Sequence, residues 1–199
     1  MKKNVFIAIL MAMAVVLVLS QISCTGKEEK KEMSQTEMVA LGKYIVTTSG
    51  CDDCHTPKIF TQTGPVFDTT RRFSGFPEGE SLPAYDVKYA SPGNWVAAEK
   101  NLAAWVGPWG ISYASNLTPD NATGIGALTE EMFIKSLREG KFMGVGRPLL
   151  PPMPWQVIGM KTDEDLKAMY AYFRSVKPIK NKVPEPTPPD KMKEVLAGK

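Results

Sequence analysis

Three segments of the chain carry apolar residues at the three- and four-residue spacing that one face of a helix requires. Each segment opens on a hydroxyl residue, has acidic side chains in its first turn and is followed by a glycine or a proline. We therefore expect short amphipathic helices over residues 34–48, 129–140 and 162–177. None of the three is long enough to be stable alone, so they need a common object on which to pack.

The segment between the first two helices has no such periodicity. Residues 58–114, here called the middle segment, concentrate aromatic side chains and are punctuated by glycine and proline. This composition predicts irregular loops with short strands, although residues 94–106 also fit a single helix. Because aromatic side chains usually pack, we interpret the segment as a cover over the core in preference to a docking surface. The expected fold class is mainly α, with a long, irregular, aromatic-rich insertion.

The first residues have the layout of an export signal. Two lysines precede an apolar run over residues 5–19, which is shorter than a typical membrane span. A signal peptide over residues 1–23 is therefore expected. The protein would then be exported and would face the periplasm or the cell exterior.

The cysteine that follows this signal predicts a membrane anchor. Cys24 stands in a sequence that resembles a bacterial lipobox, whose cysteine carries lipid after cleavage, although Gln21 replaces the usual leucine. Residues 24–35 then read as a lipid-anchored, charged tether. The alternatives are an uncleaved N-terminal anchor, or ordinary cleavage that leaves a free thiol.

The charge balance limits the classes of partner that the protein is expected to bind. The full chain has 24 basic and 21 acidic side chains, and loss of residues 1–23 removes two of the lysines. This near-neutral remainder offers no basic surplus for a nucleic acid. Residues 36–184 are enough for one domain with its own core, and residues 185–199 read as a loosely ordered tail.

The chemistry of the chain is concentrated in Cys51-Asp52-Asp53-Cys54-His55. C-x-x-C-H is the attachment sequence of a c-type haem, in which both thiols bond to the porphyrin and the histidine binds the iron. A redox dithiol or half of a zinc site is the alternative. A zinc site needs four ligands, and the chain has no second cysteine pair and no spare histidine to complete one. One covalent haem c, bound by Cys51, Cys54 and His55, is the prediction.

The second axial ligand cannot be an imidazole, because His55 is the one histidine of the chain. A methionine thioether is a soft ligand that suits haem iron and raises its reduction potential. Of the 11 methionines, Met153 is favoured, since the three prolines around it stiffen its loop. Met160 and then Met143 are the next choices, and simple packing of a proline-rich loop is the alternative.

The chain also resembles a known family. Around the haem motif and beyond it, several short runs are similar to class I c-type cytochromes, in particular to monohaem domains in the cytochrome c subunits of bacterial periplasmic and membrane dehydrogenases. These runs cover residues 42–46, 51–57, 115–120, 123–126, 152–155, 162–166 and 171–172. The resemblance implies a cytochrome c fold, with the haem between short helices and with His55 and Met153 as axial ligands. Such subunits often carry three haem motifs, and this chain has one.

The resemblance implies three further site residues. The turn at Pro65 is similar to the family's turn whose proline carbonyl accepts the ring N–H of the haem-binding histidine. Asn116 and Thr118 would donate hydrogen bonds to haem propionates.

A haem with both axial positions filled can exchange an electron but offers no open site for a substrate. We therefore expect a membrane-tethered carrier of single electrons between exported redox partners, such as a dehydrogenase or a membrane respiratory complex. The alternatives are an obligate cytochrome subunit of a dehydrogenase, and a haem enzyme or gas sensor with an open sixth position. An enzyme would want a distal acid–base group such as histidine, and the chain has none to spare.

Overall fold

A computed structural model describes residue 3 and residues 32–197 of the chain. The expected signal peptide and most of the expected tether, with Cys24, lie outside the described residues apart from Lys3. Residues 34–197 lie in one compact unit. Its helices are α1 (Gln35–Thr48), α2 (Cys51–His55), α3 (Glu130–Glu139), α4 (Trp155–Gly159), α5 (Asp163–Ser175) and α6 (Met192–Leu196).

The three helices expected from the periodicity are confirmed as α1, α3 and α5. Ser34 and Thr162 cap α1 and α5 through capping boxes that Glu37 and Asp165 complete. The α3 helix ends at Gly140, which adopts the left-handed conformation with φ 62°. Local capping thus sets where these helices begin and end. Their apolar faces meet in one buried cluster that includes Val46, Phe133, Leu137, Leu166 and Phe173.

Helices α1 and α5 pack closely because Gly42 lies at their contact. A Cβ atom at Gly42 would overlap the backbone carbonyl of Ala168 and would lie 2.8 Å from Cβ of Tyr172. The absence of a side chain therefore lets the two backbones approach. The motif helix α2 follows α1 after a two-residue turn, and its Cys51 packs against the buried cluster to which α1 and α5 both contribute.

Replacing Gly42 with alanine is expected to destabilise the protein by about 2 kcal/mol or more, because the two helices must move apart. Helix propensity alone predicts the opposite sign, a gain of about 1 kcal/mol. The free energy of unfolding from a denaturant titration measures the effect. Lys43→Ala, at an exposed position of the same helix, is the matched control and should change stability by less than about 0.5 kcal/mol. Equal stability of Gly42→Ala and wild type would contradict this account of the contact.

The middle segment forms two small antiparallel sheets. Strands β1 (Lys58–Thr61) and β2 (Gly64–Phe67) make a hairpin, and β3 (Ala97–Ala98), β4 (Ala104–Gly107) and β5 (Gly110–Tyr113) make a three-stranded sheet. The expected fold class is thus only partly right: helices pack around the motif, but five strands accompany them. Short 3₁₀ turns at Thr69–Arg71 and Val87–Ala90 link the two sheets.

The alternative of a single helix over residues 94–106 is wrong. Ala97 and Ala98 pair with Val106 and Trp105 across an antiparallel ladder. The carboxylate of Glu99 accepts hydrogen bonds from the backbone N–H groups of Asn101 and Ala103, at 2.7 and 2.8 Å. This buried carboxylate stabilises the turn between the strands, and a helical pattern does not reveal such a contact.

The end of the chain packs more closely than the expected loose tail. Thr187 pairs with Ile111 of β5, with hydrogen bonds of 2.8 and 2.9 Å in the two directions. Met192 and Leu196 on α6 are buried in a second apolar cluster with Ile111 and Val106. The prediction is therefore corrected for residues 185–197, because these apolar side chains find partners on the three-stranded sheet. Across residues 32–197, no helix has the length and apolar character needed to cross a membrane.

Candidate functional site

The C-x-x-C-H residues form a helical turn of their own. Gly50, with φ 69°, breaks the end of α1 and starts α2, which contains the whole motif. The backbone N–H of Thr56 closes the turn on the carbonyl of Asp52 at 3.1 Å. Cys51 and Cys54 lie three positions apart on this turn and therefore share one side of it. The local fold thus brings together the two thiols that a porphyrin would need.

His55 is held in one orientation by a residue from beyond the middle segment. Its Nδ1 atom lies 2.7 Å from the backbone carbonyl of Ser115. A carbonyl oxygen only accepts, so Nδ1 carries the proton and Nε2 keeps a free lone pair. The expectation that the Pro65 carbonyl accepts this proton is wrong. Pro65 pairs with Phe60 in an exposed hairpin, and the loop after β5 supplies the acceptor instead.

The environment of His55 favours the neutral imidazole that a metal requires. Burial lowers the pKa of His55, and the Ser115 carbonyl and the nearby Asp52 carboxylate oppose this only in part. With the proton held at Nδ1, the Nε2 atom is available as a ligand at neutral pH.

The two thiols have the electrostatics of buried cysteines. Burial, assisted by the charge of Asp52, raises the pKa of Cys51 to about 11, and burial also raises the pKa of Cys54. Reactive redox dithiols depend on a lowered pKa, so this environment disfavours that alternative. Among residues 32–197, no cluster of three or more His, Cys, Asp or Glu side chains is placed to hold a metal ion.

A cavity of about 350 Å³ lies against the motif. Cys51, Cys54 and His55 line one part of it, and helices α3, α4 and α5, strands β4 and β5 and the loops after β5 and before α4 contribute much of the rest. Most of these side chains are apolar or aromatic, and Arg147 adds a guanidinium. The lining includes Leu137, Met153, Met169 and Phe173 from the helical side and Ser112 from β5.

The structure separates the candidate methionines. Met153 is half-buried and lines the cavity that His55 lines. Met160 is 83% exposed and does not line it, and neither does Met143, in the 3₁₀ turn Phe142–Gly144. Among the described methionines, Met169 of α5 is the other one at the cavity, where it is buried in the apolar cluster.

The loop that carries Met153 is held at both ends. The Ser112 hydroxyl on β5 donates a hydrogen bond of 2.6 Å to the Pro151 carbonyl. After the loop, the Trp155 ring lies against Gly140, where a Cβ atom would collide with the indole. These contacts fix a loop whose prolines already restrict it. Met153 therefore sits at a defined place on the cavity wall.

Asn116 and Thr118 do not serve as predicted. Both are buried, and neither lines the cavity. Asn116 donates to the Ile179 carbonyl at 2.8 Å, and its Oδ1 accepts from the backbone and the hydroxyl of Thr118, at 2.9 and 2.7 Å. The expectation that they donate to propionates is corrected. They tie the loop after β5, and with it Ser115, to the segment that follows α5.

The sequence reasoning missed Ser115, Ser112 and Arg147. Ser115 acts through its backbone, which leaves no signature in the side chain. Arg147 lines the cavity and pairs with Glu185 at 3.3 Å, with 37% of its own side chain exposed. A lone arginine after a glycine has no distinctive local pattern. Only its place in the fold marks it as part of the site.

Comparison with known proteins relates part of the chain to electron-transfer subunits. It is 44% identical over 73 residues to the fructose dehydrogenase cytochrome subunit of Gluconobacter japonicus, covering 36% of this chain and 15% of that protein. It is 42% identical over 81 residues to the cytochrome c subunit of the quinone alcohol dehydrogenase of Gluconobacter oxydans (strain 621H), covering 39% and 17%. No family model matches the chain.

Part of this chain is related to cytochrome c subunits. A third relative, the gluconate 2-dehydrogenase cytochrome c subunit of Pantoea cypripedii, is 44% identical over 66 residues, which cover 33% of this chain and 15% of that protein. The matches thus span about a sixth of these relatives' own length. A cytochrome c relationship implies haem c, and the lining of the cavity fits that group. It offers two thiols, a neutral imidazole, a thioether and mostly apolar walls.

Proposed function

We propose that this protein is a c-type cytochrome with one haem, built on the cytochrome c fold, that carries single electrons and is not itself a catalyst. The observation that supports this most is the cavity, because it brings Cys51, Cys54 and His55 together with Met153. The relationship to cytochrome subunits supports the same electron-carrying role.

Each side chain has a role that follows from its chemistry. Cys51 and Cys54 would hold the porphyrin through thioether bonds, and the Nε2 atom of His55 would be one axial ligand. Met153 would be the other, since its sulfur is uncharged and soft. Arg147 is the cation at the cavity, so it is suited to a propionate carboxylate. When bound, the haem supplies the one-electron chemistry.

The surroundings of the site suit electron transfer more than substrate chemistry. His55 is the only histidine of the chain and its Nδ1 proton is already bonded to Ser115. No second imidazole is left to act as a distal acid or base. The apolar walls that Leu137 and Phe173 help to form keep water away and favour the thioether over a water ligand. A haem enzyme or gas sensor with an open sixth position is therefore the weaker hypothesis.

A second candidate function is that of a fixed cytochrome subunit in a dehydrogenase complex. The relatives are named as such subunits, which favours a dehydrogenase as the electron donor. In both cases we place the protein outside the cytoplasm, tied to the membrane through Cys24, near its redox partners.

The first test is the haem itself. Full-length protein produced with a cytochrome c maturation system is expected to keep one haem per chain after denaturation. The oxidised protein should show the weak long-wavelength band of a sulfur-to-iron bond, and the reduced protein should bind carbon monoxide slowly, because both axial positions are filled. Haem extracted by acid and organic solvent, or prompt carbon monoxide binding, would contradict the proposal.

The second test addresses anchor and partner. Wild type is expected in the membrane fraction, and Cys24→Ser is expected to be released in soluble form with its haem retained. Extraction of wild type with mild detergent should recover a dehydrogenase only if the protein is a fixed subunit. Equal membrane retention of both proteins would contradict lipid anchoring and leave an uncleaved anchor as the explanation.

A further inference from the structure

An ion pair lies directly beside the candidate haem site. Asp52 belongs to the motif, but its side chain is turned towards the middle segment and not towards the cavity. The guanidinium of Arg72 donates to both carboxylate oxygens, from Nε at 2.8 Å and from Nη2 at 2.6 Å. The Asp52 side chain is 10% exposed and the Arg72 side chain 32%. This two-bonded geometry in a mostly buried place differs from an ordinary surface pair.

Arg72 also reaches a third element. Its Nη1 donates to the Tyr172 hydroxyl of α5 at 3.0 Å, and its guanidinium lies 4.6 Å from the centre of the Phe73 ring. Phe73 is fully buried, adopts φ 63° and packs edge-on against Phe173. Arg72 thus connects the motif helix α2, the middle segment and α5 through one side chain.

Thr56 completes the network on the other side of the carboxylate. Its hydroxyl donates to Asp52 at 2.8 Å and accepts from the backbone N–H of Phe73 at 3.0 Å. Burial would raise the pKa of Asp52, but the bonds from Arg72 and Thr56 and the positive charge of Arg72 hold it below its usual value. The carboxylate is therefore ionised and its charge is opposed by one arginine.

We propose that Arg72 is a positioning residue for the haem site, which holds the motif helix in place and balances the charge of Asp52. The inference rests on the proposed function. Loss of an electron leaves the haem one unit more positive. A carboxylate beside His55 stabilises that oxidised state, and the paired guanidinium offsets this effect. The pair therefore keeps the reduction potential higher than an unopposed Asp52 would allow.

Charge-changing variants of the haem-loaded protein test this at neutral pH. In Arg72→Gln the ratio of oxidised to reduced protein at a fixed ambient potential should rise about threefold or more, because Asp52 is left unopposed. In Asp52→Asn the same ratio should fall by a similar factor, and the double variant should return close to wild type. Arg72→Lys keeps the charge and should stay within about twofold of wild type, while losing thermal stability. Arg71→Gln is the matched control, since Arg71 pairs with Asp68 at 2.8 Å and does not contact Asp52.

The reduction potential should shift in opposite directions in Arg72→Gln and Asp52→Asn. Simple structural damage does not predict opposite shifts. If Arg72→Gln fails to fold, the rise in potential of Asp52→Asn still tests the proposal. Equal potentials in wild type, Arg72→Gln and Asp52→Asn would overturn it, and so would an Arg71→Gln shift as large as that of Arg72→Gln. Failure of the proposed function looks different, because wild type itself would then carry no covalent haem.

Discussion

Replacing Met153 with alanine is expected to abolish the sulfur-to-iron band while the haem stays covalently attached. The thioether would be lost, but Cys51, Cys54 and His55 would be unchanged. The vacated position would bind carbon monoxide promptly in the reduced protein. The reduction potential should fall by more than about 60 mV, which corresponds to a tenfold change in the ratio of oxidised to reduced protein. Absorption spectra and a redox titration measure these effects.

Two other methionines provide the controls. Met160→Ala changes a side chain that is 83% exposed and outside the cavity lining, so its spectrum and potential should match wild type. Met169→Leu removes the other sulfur at the cavity and nearly conserves volume, so it should keep the band at a stability cost below about 1.5 kcal/mol. If the band persists in Met153→Ala and disappears in Met169→Leu, the ligand is Met169 and our assignment is wrong.

Replacing Cys51 and Cys54 together with serine is expected to remove all covalently bound haem. Serine keeps the shape of each side chain but cannot form the thioether bond. Mass spectrometry of the denatured protein should then give the mass of the bare polypeptide, whereas wild type should carry one haem. Because the short helices pack around the site, the double variant should also unfold at a lower temperature than wild type and accumulate poorly.

The third cysteine is the matched control for this experiment. Cys24→Ser also removes a thiol, but it should leave the attached haem and its spectrum unchanged. Single Cys51→Ser and Cys54→Ser variants would each keep at most one bond to the porphyrin. Full haem attachment in the double serine variant would contradict the assignment of Cys51 and Cys54 as the attachment residues. This would hold whatever the spectrum of the wild type.

The sequence predicted those parts of the molecule that short stretches of chain control. Helices α1, α3 and α5 follow from a cap, an apolar stripe and a helix-ending residue, all within about 15 residues of one another. The C-x-x-C-H motif is likewise a local signal, since its spacing alone places two thiols three positions apart and an imidazole directly after the second. The prolines around Met153 predict a stiff loop, and Met153 lines the cavity.

Other features depend on residues far apart in the chain. The partner of His55 is a backbone carbonyl 60 residues away, and Arg72 reaches Tyr172 across 100 residues. A family-like turn suggested Pro65 for the first role, but the hairpin carries Pro65 into an exposed strand. Asn116 and Thr118 follow Ser115 closely in sequence, yet neither lines the cavity. A local sequence pattern does not determine the direction that the chain takes beyond it.

By itself, the sequence therefore determined the three main helices and the attachment motif, with a haem as the cofactor that the motif predicts. Caps and turns are hydrogen bonds between residues that are close in sequence, so a short segment contains all the residues that form them. Only the tertiary structure decided which carbonyl orients His55, which methionines line the cavity, and that Arg72 opposes Asp52. These are contacts between elements that the folded core brings together, and their strength comes from burial that no single segment has.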